Sequence, residues 1–305
     1  MRAPSAVPEP PGFKAGSKRP GQVDARTLVL VVAGLAVAGA TAFFVLRGGP
    51  ANGGPAAWAT LNTADVHALA FAPGDASHLY FGHHNGLLES RDGGRSWQPA
   101  ALSGADAMNV SVAGGGRIQI AGHEVYLESS DGGASWQPVP NDLPGLDLHS
   151  FAMDPADSDH AWAFAVGFGL FESHDGGRHW VLRQGGNWGS LAAYRAAGVT
   201  GLVAIGPDGG VRSVDGGASW QTLAYPGAAL AGGFAAAADG SALYAATTDG
   251  LQRSTDLGQT WRGTGFDAVA VAVAVAPDDP RVVALVDEAT RFYRSLDGGA
   301  SWPAP

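Results

Sequence analysis

Six copies of the pattern Ser-x-Asp-x-Gly-x-x-Trp, recurring about every forty residues behind an uncharged run of twenty, predict an all-β fold. The specific expectation is a six-bladed β-propeller with an N-terminal transmembrane helix.

Composition agrees with short strands joined by turns. The 305 residues include 46 glycines and 19 prolines, and 46% are hydrophobic. There is no cysteine, which excludes disulfides, thiolate metal sites, cysteine nucleophiles and a lipid-bearing cysteine. Residues 1–47 carry six Lys/Arg against two acids, whereas residues 48–305 carry twelve Arg and no Lys against 26 acids. A region that acidic repels phosphate backbones, so nucleic acid is not an expected partner.

The N-terminal elements come first. Residues 27–46 read TLVLVVAGLAVAGATAFFVL. As a helix rising about 1.5 Å per residue, this run spans a hydrocarbon core of about 30 Å. Lys14, Lys18, Arg19 and Arg26 precede it and only Arg47 follows closely. The positive-inside bias therefore puts the N-terminus in the cytoplasm and the remainder outside, in periplasm or extracellular space, as a single-pass protein of the cell membrane. A cleaved signal peptide is the competing reading, with small residues at 38–42 as the processing point, although the run exceeds an h-region of roughly 7–15 residues. Residues 1–26 read as a disordered cytoplasmic tail and 47–57 as a Gly/Pro linker, leaving 58–305 for the propeller.

The copies begin at Ser90, Ser129, Ser173, Ser213, Ser254 and Ser295. In each, an Asp at the head of a tight turn can accept backbone N–H groups, and Gly supplies the left-handed backbone the turn needs. The Trp lies on the returning strand, where its ring packs against the hairpin and its N–H can reach a carbonyl. Upstream stand paired strand signals, such as VHALAFAP, HLYFG and GLLES before the first copy and SFAMDP, HAWAFAV and GLFES before the third. Each period thus holds four short strands, the content of one blade. The last copy ends at Trp302 with only Pro303, Ala304 and Pro305 behind it, so the sixth blade lacks a strand. WATLNT from Trp58 resembles WQTLAY from Trp220, and is expected to supply that strand and close the ring.

The repeated octapeptide resembles that of the BNR/Asp-box superfamily, which includes sialidases, the sortilin (Vps10) propeller and photosystem II assembly factors of the Ycf48 type. VHALAFAP from Val66 and GHHNGLLES from Gly82 are also similar to a bacterial BNR-repeat group described as glycosyl hydrolases. The resemblance covers residues 58–305. It implies that the boxes lie between third and fourth strands, on the face away from the ligand site, and that Asp92, Asp131, Asp175, Asp215, Asp256 and Asp297 are structural. It says little about activity, because fold and function separate in such families.

A sialidase needs a fork of arginines for a carboxylate. Here Arg91, Arg95 and Arg178 lie inside boxes, Arg212, Arg253 and Arg294 immediately precede them, and the Phe/Tyr-Arg-Ile-Pro segment is missing, which argues against a typical sialidase. A glycoside hydrolase of another kind needs two carboxylates, for which Asp65, Glu124, Asp147, Asp208 and Asp249 are the nominees on the face opposite the boxes. Histidines gather on that same face: His67, His83, His84, His123 and His149 are expected at blade tips as ligand-binding residues. Asp65-Val-His67 and Asp147-Leu-His149 repeat one motif, and His84 and His123 each stand six residues before a box serine. His67, His84, His123 and His149 with neighbouring acids offer a site for Zn²⁺, Cu²⁺ or Ni²⁺. The alternative is that these are ordinary loop histidines that recur because repeats duplicate. Glu89, Glu128 and Glu172 precede the first three boxes, and with the arginines before the last three they read as solvated strand faces. The expected role is a membrane-anchored binding or assembly module for a protein, glycan or metal, with glycoside hydrolysis as the alternative.

Overall fold

A computed structural model describes residues 54–305 apart from 114–115, 207–208 and 224–229. The expected helix at 27–46, with its tail, lies outside the described residues, and among those described no helix is long and apolar enough to cross a membrane.

Among the described residues the strands form six antiparallel sheets of four. Blade one is Ala68–Ala72, Asp75–His83, Gly86–Ser90 and Gln98–Ser103. Blade two is Asn109–Ala113, Arg117–Gly122, Val125–Ser129 and Gln137–Pro138, and blade three is Leu148–Asp154, Asp157–Ala165, Gly169–Ser173 and Val181–Gln184. Blades four, five and six follow the same plan, beginning at Gly189, Leu230 and Ala270. Neighbouring innermost strands touch all the way round, so the ring is closed.

Sequence explains where each strand sits. Innermost strands crowd the axis and are alanine-rich; AVAVAVA at Ala270–Ala276 alternates buried and half-buried, as period-two geometry requires. Second strands such as Asp279–Asp287 carry VVALV with every residue buried, because neighbouring blades cover both faces. Six apolar clusters result among the described residues, each between two adjacent blades: Phe81 with Phe292 between the first and sixth, and Tyr126 with Phe151 between the second and third. Burying a Phe, Leu or Val side chain contributes about 1.5–3 kcal/mol, so these clusters, together with the sheet ladders, hold the ring.

The sixth blade borrows its outer strand from the N-terminal side. Ala59 pairs with Phe292 and Thr60 with Arg291, and the Trp58 N–H donates to the Phe292 carbonyl at 2.8 Å.

Each octapeptide forms the same turn. The Ser hydroxyl donates to the Asp Oδ1 at 2.7–2.9 Å and accepts the N–H of the second Gly-position residue at 2.8–3.0 Å. The Asp Oδ2 accepts a Ser or Thr hydroxyl at 2.6 Å in five copies, and meets His179 Nδ1 in the third. Each Asp is thus occupied within its own turn. The indole N–H reaches the nearby glycine carbonyl in Trp97, Trp180 and Trp261, whereas those of Trp136, Trp220 and Trp302 have no partner among the described residues.

The residues before the boxes are not simply solvated faces, which corrects that expectation. Arg294 is buried and donates to the Gly93 carbonyl in blade one's turn at 3.0 Å, while Arg212 donates to the Leu257 carbonyl in blade five's turn. Tyr80 and Tyr244 do the same to the Gly132 and Gly298 carbonyls, so one blade after another grips the turn of the next. The acids are paired: Glu89 with His78 and Arg91, Glu128 with Arg117 and Arg178, Glu172 with His160 and Arg183.

Candidate metal centre

Antiparallel order puts the box turns beside the loops joining first and second strands; the Gly93 N–H, for example, donates to the Ser77 carbonyl at 2.8 Å. The entrance to each first strand and the turn between second and third strands therefore share the opposite face. There the Ala107 N–H donates to the His83 carbonyl at 3.2 Å, and the Glu124 N–H to the Leu146 carbonyl at 2.9 Å. These contacts draw the tips of blades one, two and three together.

On that face seven side chains form a continuous arc: Asp65, His67, His84, Asp106, His123, Asp147 and His149. At one end, His67 Nε2 lies 3.1 Å from His84 Nδ1 and 3.5 Å from Asp65 Oδ1, and His84 Nδ1 lies 2.8 Å from Asp65 Oδ2. At the other, His123 Nε2 lies 3.1 Å from His149 Nε2 and 3.4 Å from Asp147 Oδ1, with His149 Nε2 3.0 Å from that oxygen. Asp106 stands between, with Oδ2 2.6 Å from His123 Nδ1 and Oδ1 3.7 Å from His67 Nε2.

The backbone builds this arrangement. His123 and Asp147 pair in an isolated antiparallel bridge, which joins the tip of blade two to the entrance of blade three. The backbone N–H of His84 donates to Asp65 Oδ1 at 2.9 Å, locking the carboxylate beneath the imidazole. Gly122 permits the approach of Asp106: a Cβ there would lie 1.9 Å from the Asp106 carbonyl oxygen.

The spacings match metal coordination. Bonds of about 2.0–2.1 Å to a tetrahedral ion separate neighbouring donors by about 3.3–3.4 Å. The three atoms His123 Nε2, Asp147 Oδ1 and His149 Nε2 are 3.0–3.4 Å apart, the outline of one tetrahedral face. His123 also shows a carboxylate on its far nitrogen, the arrangement that orients a ligating imidazole and raises its basicity. Asp106 Oδ1 and Asp147 Oδ1 are shielded from solvent and accept no hydrogen bond among the described residues, with the imidazoles of His67 at 3.7 Å and His149 at 3.0 Å beside them.

Electrostatics prepare the first cluster. Burial, together with the neighbouring His84, pushes His67 below its ordinary value, so it is neutral and offers a lone pair near pH 7. The hydrogen bond to Asp65 raises His84. Burial alone would raise Asp65, but the backbone and side-chain hydrogen bonds from His84 hold it below the ordinary carboxylate value.

Of the residues expected at the tips, His67, His84, His123 and His149 come together with Asp65 and Asp147. His83 does not join them: its ring stacks on Phe81 with centroids 6.2 Å apart, and its Nδ1 accepts the Asn85 N–H at 3.3 Å. Glu124 and Asp249 stand outside the donor groups, and Asp208 lies outside the described residues. Asp106 was not among the expected residues, although Asp65, Asp106 and Asp147 recur at intervals of 41 residues. His160 and His174 of blade three were not among the expected residues either, and they gather on Glu172, with His160 Nε2 2.7 Å from its Oε1. Arg183 occupies the other oxygen of Glu172, so this group is a satisfied ion-pair network.

The central channel is lined by the innermost strands, with residues such as Ala70, Ser111, Ala192 and Ala274, and no charged side chain stands among its described lining residues.

No protein-family profile matches the chain, and no curated protein is similar to it in sequence. Solved structures are similar in fold. A YCF48 structure with a bound D1 peptide is 23% identical, with a TM-score of 0.52 over 80% of this chain and 82% of that one. A gluconolactonase from Xanthomonas campestris is 14% identical, with a TM-score of 0.62 over 85% of this chain and 99% of that one. A GH74 enzyme from Niastella koreensis is 16% identical, with a TM-score of 0.53 over 78% of this chain and 46% of that one. These likenesses establish the propeller and no more, since one fold carries a peptide complex, a lactonase and a glycoside hydrolase.

Proposed function

We propose that this chain is a binding module whose blade-tip arc takes up a first-row divalent metal, Zn²⁺, Cu²⁺ or Ni²⁺, and presents it on the face opposite the box turns. The observation that carries this reading is the triad His123 Nε2, Asp147 Oδ1 and His149 Nε2, with donors 3.0–3.4 Å apart. Mixed imidazole and carboxylate donors select these metals over Ca²⁺ and Mg²⁺, which prefer all-oxygen shells. The uncharged run at 27–46 anchors the module in the cell membrane with the propeller outside.

A binding role fits these groups better than hydrolysis. A glycosidase acid needs a carboxyl that keeps its proton near neutrality, and Asp65 is held in the opposite direction by His84. The peptide complex of the YCF48 neighbour supports a protein ligand as the class of partner.

Equilibrium dialysis of the full-length chain in detergent against Zn²⁺ tests the reading. Wild type is expected to retain metal at micromolar free Zn²⁺, and the variant with His67, His84, His123 and His149 all changed to Ala to lose it while keeping its circular dichroism. Wild type free of metal, or a variant that retains all of it, contradicts the proposal.

A further inference from the structure

We infer that the arc holds two ions of unlike accessibility, an enclosed one at Asp65, His67 and His84 and an open one at His123, Asp147 and His149. The inference rests on the metal-binding reading and goes beyond it in number, arrangement and ligand class.

The two triads share no atom: His84 faces Asp65 and His67 with Nδ1, and His123 faces Asp147 and His149 with Nε2. Each set closes on itself within 4.8 Å, and a third group, His84, Asp106 and His123, links one to the other. Asp106 connects them without belonging wholly to either. Its Oδ2 takes the His123 Nδ1 side at 2.6 Å, which frees His123 Nε2 for the second ion, and its unpartnered Oδ1 faces His67 at 3.7 Å as the next donor for the first. A carboxylate so placed offsets charge repulsion between adjacent cations.

The sites differ in exposure. Side chains of Asp65, His67 and Asp106 are 21%, 17% and 13% exposed, with His84 alone open at 52%. Those of His123, Asp147 and His149 are 46%, 48% and 35% exposed. Three protein donors on an open face leave a coordination position for an outside ligand, the arrangement that separates reactive or ligand-accepting sites from closed structural ones. That open position is available to an outside nitrogen donor such as an imidazole, a ligand these metals take readily.

Co²⁺ titration of the full-length chain, followed by visible absorption and by metal analysis after desalting, distinguishes the possibilities. Wild type is expected to retain two equivalents, a result that needs no variant. The pair His67→Ala with His84→Ala, and the pair His123→Ala with His149→Ala, should each retain one. Added imidazole should shift the Co²⁺ bands of the first pair variant and leave those of the second unchanged. A single equivalent in wild type overturns the two-ion arrangement while leaving metal binding intact. Imidazole shifting the bands of the second pair variant overturns the assignment of open and enclosed sites. Retention of no Co²⁺ by wild type removes both this inference and the reading beneath it. His→Gln versions of the same pairs repeat the count if an Ala variant fails to fold.

Discussion

The indole N–H of Trp58 donates to the carbonyl of Pro303 at 2.8 Å, across 245 residues of chain. With Ala59 and Thr60 paired to Phe292 and Arg291, this residue fastens the two ends of the propeller into one sheet. The Arg95 guanidinium lies 4.7 Å from its ring centroid, which adds a cation–π contact between blades.

Trp58→Ala is therefore expected to lower unfolding stability by about 2 kcal/mol, through lost packing and a frayed closing strand. Trp58→Phe should recover most of the packing and none of the hydrogen bond. Chemical denaturation of both variants checks this.

Gripping of one blade's turn by the next gives a second expectation. Arg294 is buried, donates to the Gly93 carbonyl and lies 5.7 Å from the Phe71 ring centroid. Its replacement by Ala should cost about 2 kcal/mol, whereas Arg262→Ala on an exposed outer strand should stay within about 0.5 kcal/mol of wild type. Equal losses in the two variants would contradict inter-blade clamping.

Turn geometry predicts one severe glycine substitution. Gly177 sits at φ +86°, and a Cβ there would lie 1.6 Å from the Tyr126 hydroxyl oxygen. Gly177→Ala combines backbone strain with a clash and should cost about 3 kcal/mol or more. Gly177→Ala with Tyr126→Phe should recover part of that loss in thermal unfolding, because the clashing oxygen is gone.

Acid should weaken the fold in a defined window. The turn hydrogen bonds hold Asp92, Asp131, Asp215 and Asp256 at about 2, against an ordinary 3.8. Between those values the unfolded chain binds more protons than the folded one, so stability is kept above about pH 4 and is lost as pH falls toward 2. Denaturation midpoints across pH 2–7 should show the decline below 4, and an Asp131→Asn variant should show a shallower one.

Local features are the ones the sequence carries openly. Octapeptide turns are local, each satisfied within eight residues, so Asp92 or Asp297 could be placed from spacing alone. The closing strand was legible because Trp58 repeats the pattern around Trp220. Asp106 was not, since Met108 stands where the neighbouring blades carry His67 and His149, and the Asp-x-His motif is broken there. Only the 41-residue interval betrayed it. The role of Arg294 was hidden for a different reason: its partner lies 201 residues away in another blade, a contact that composition cannot show.

Anomalous diffraction from crystals soaked in Zn²⁺, recorded at the zinc edge, tests the central claim most directly. The account predicts a peak about 2.1 Å from His123 Nε2 and His149 Nε2 at the tips of blades two and three. A fully soaked crystal with no peak anywhere along the arc from Asp65 to His149 would contradict it.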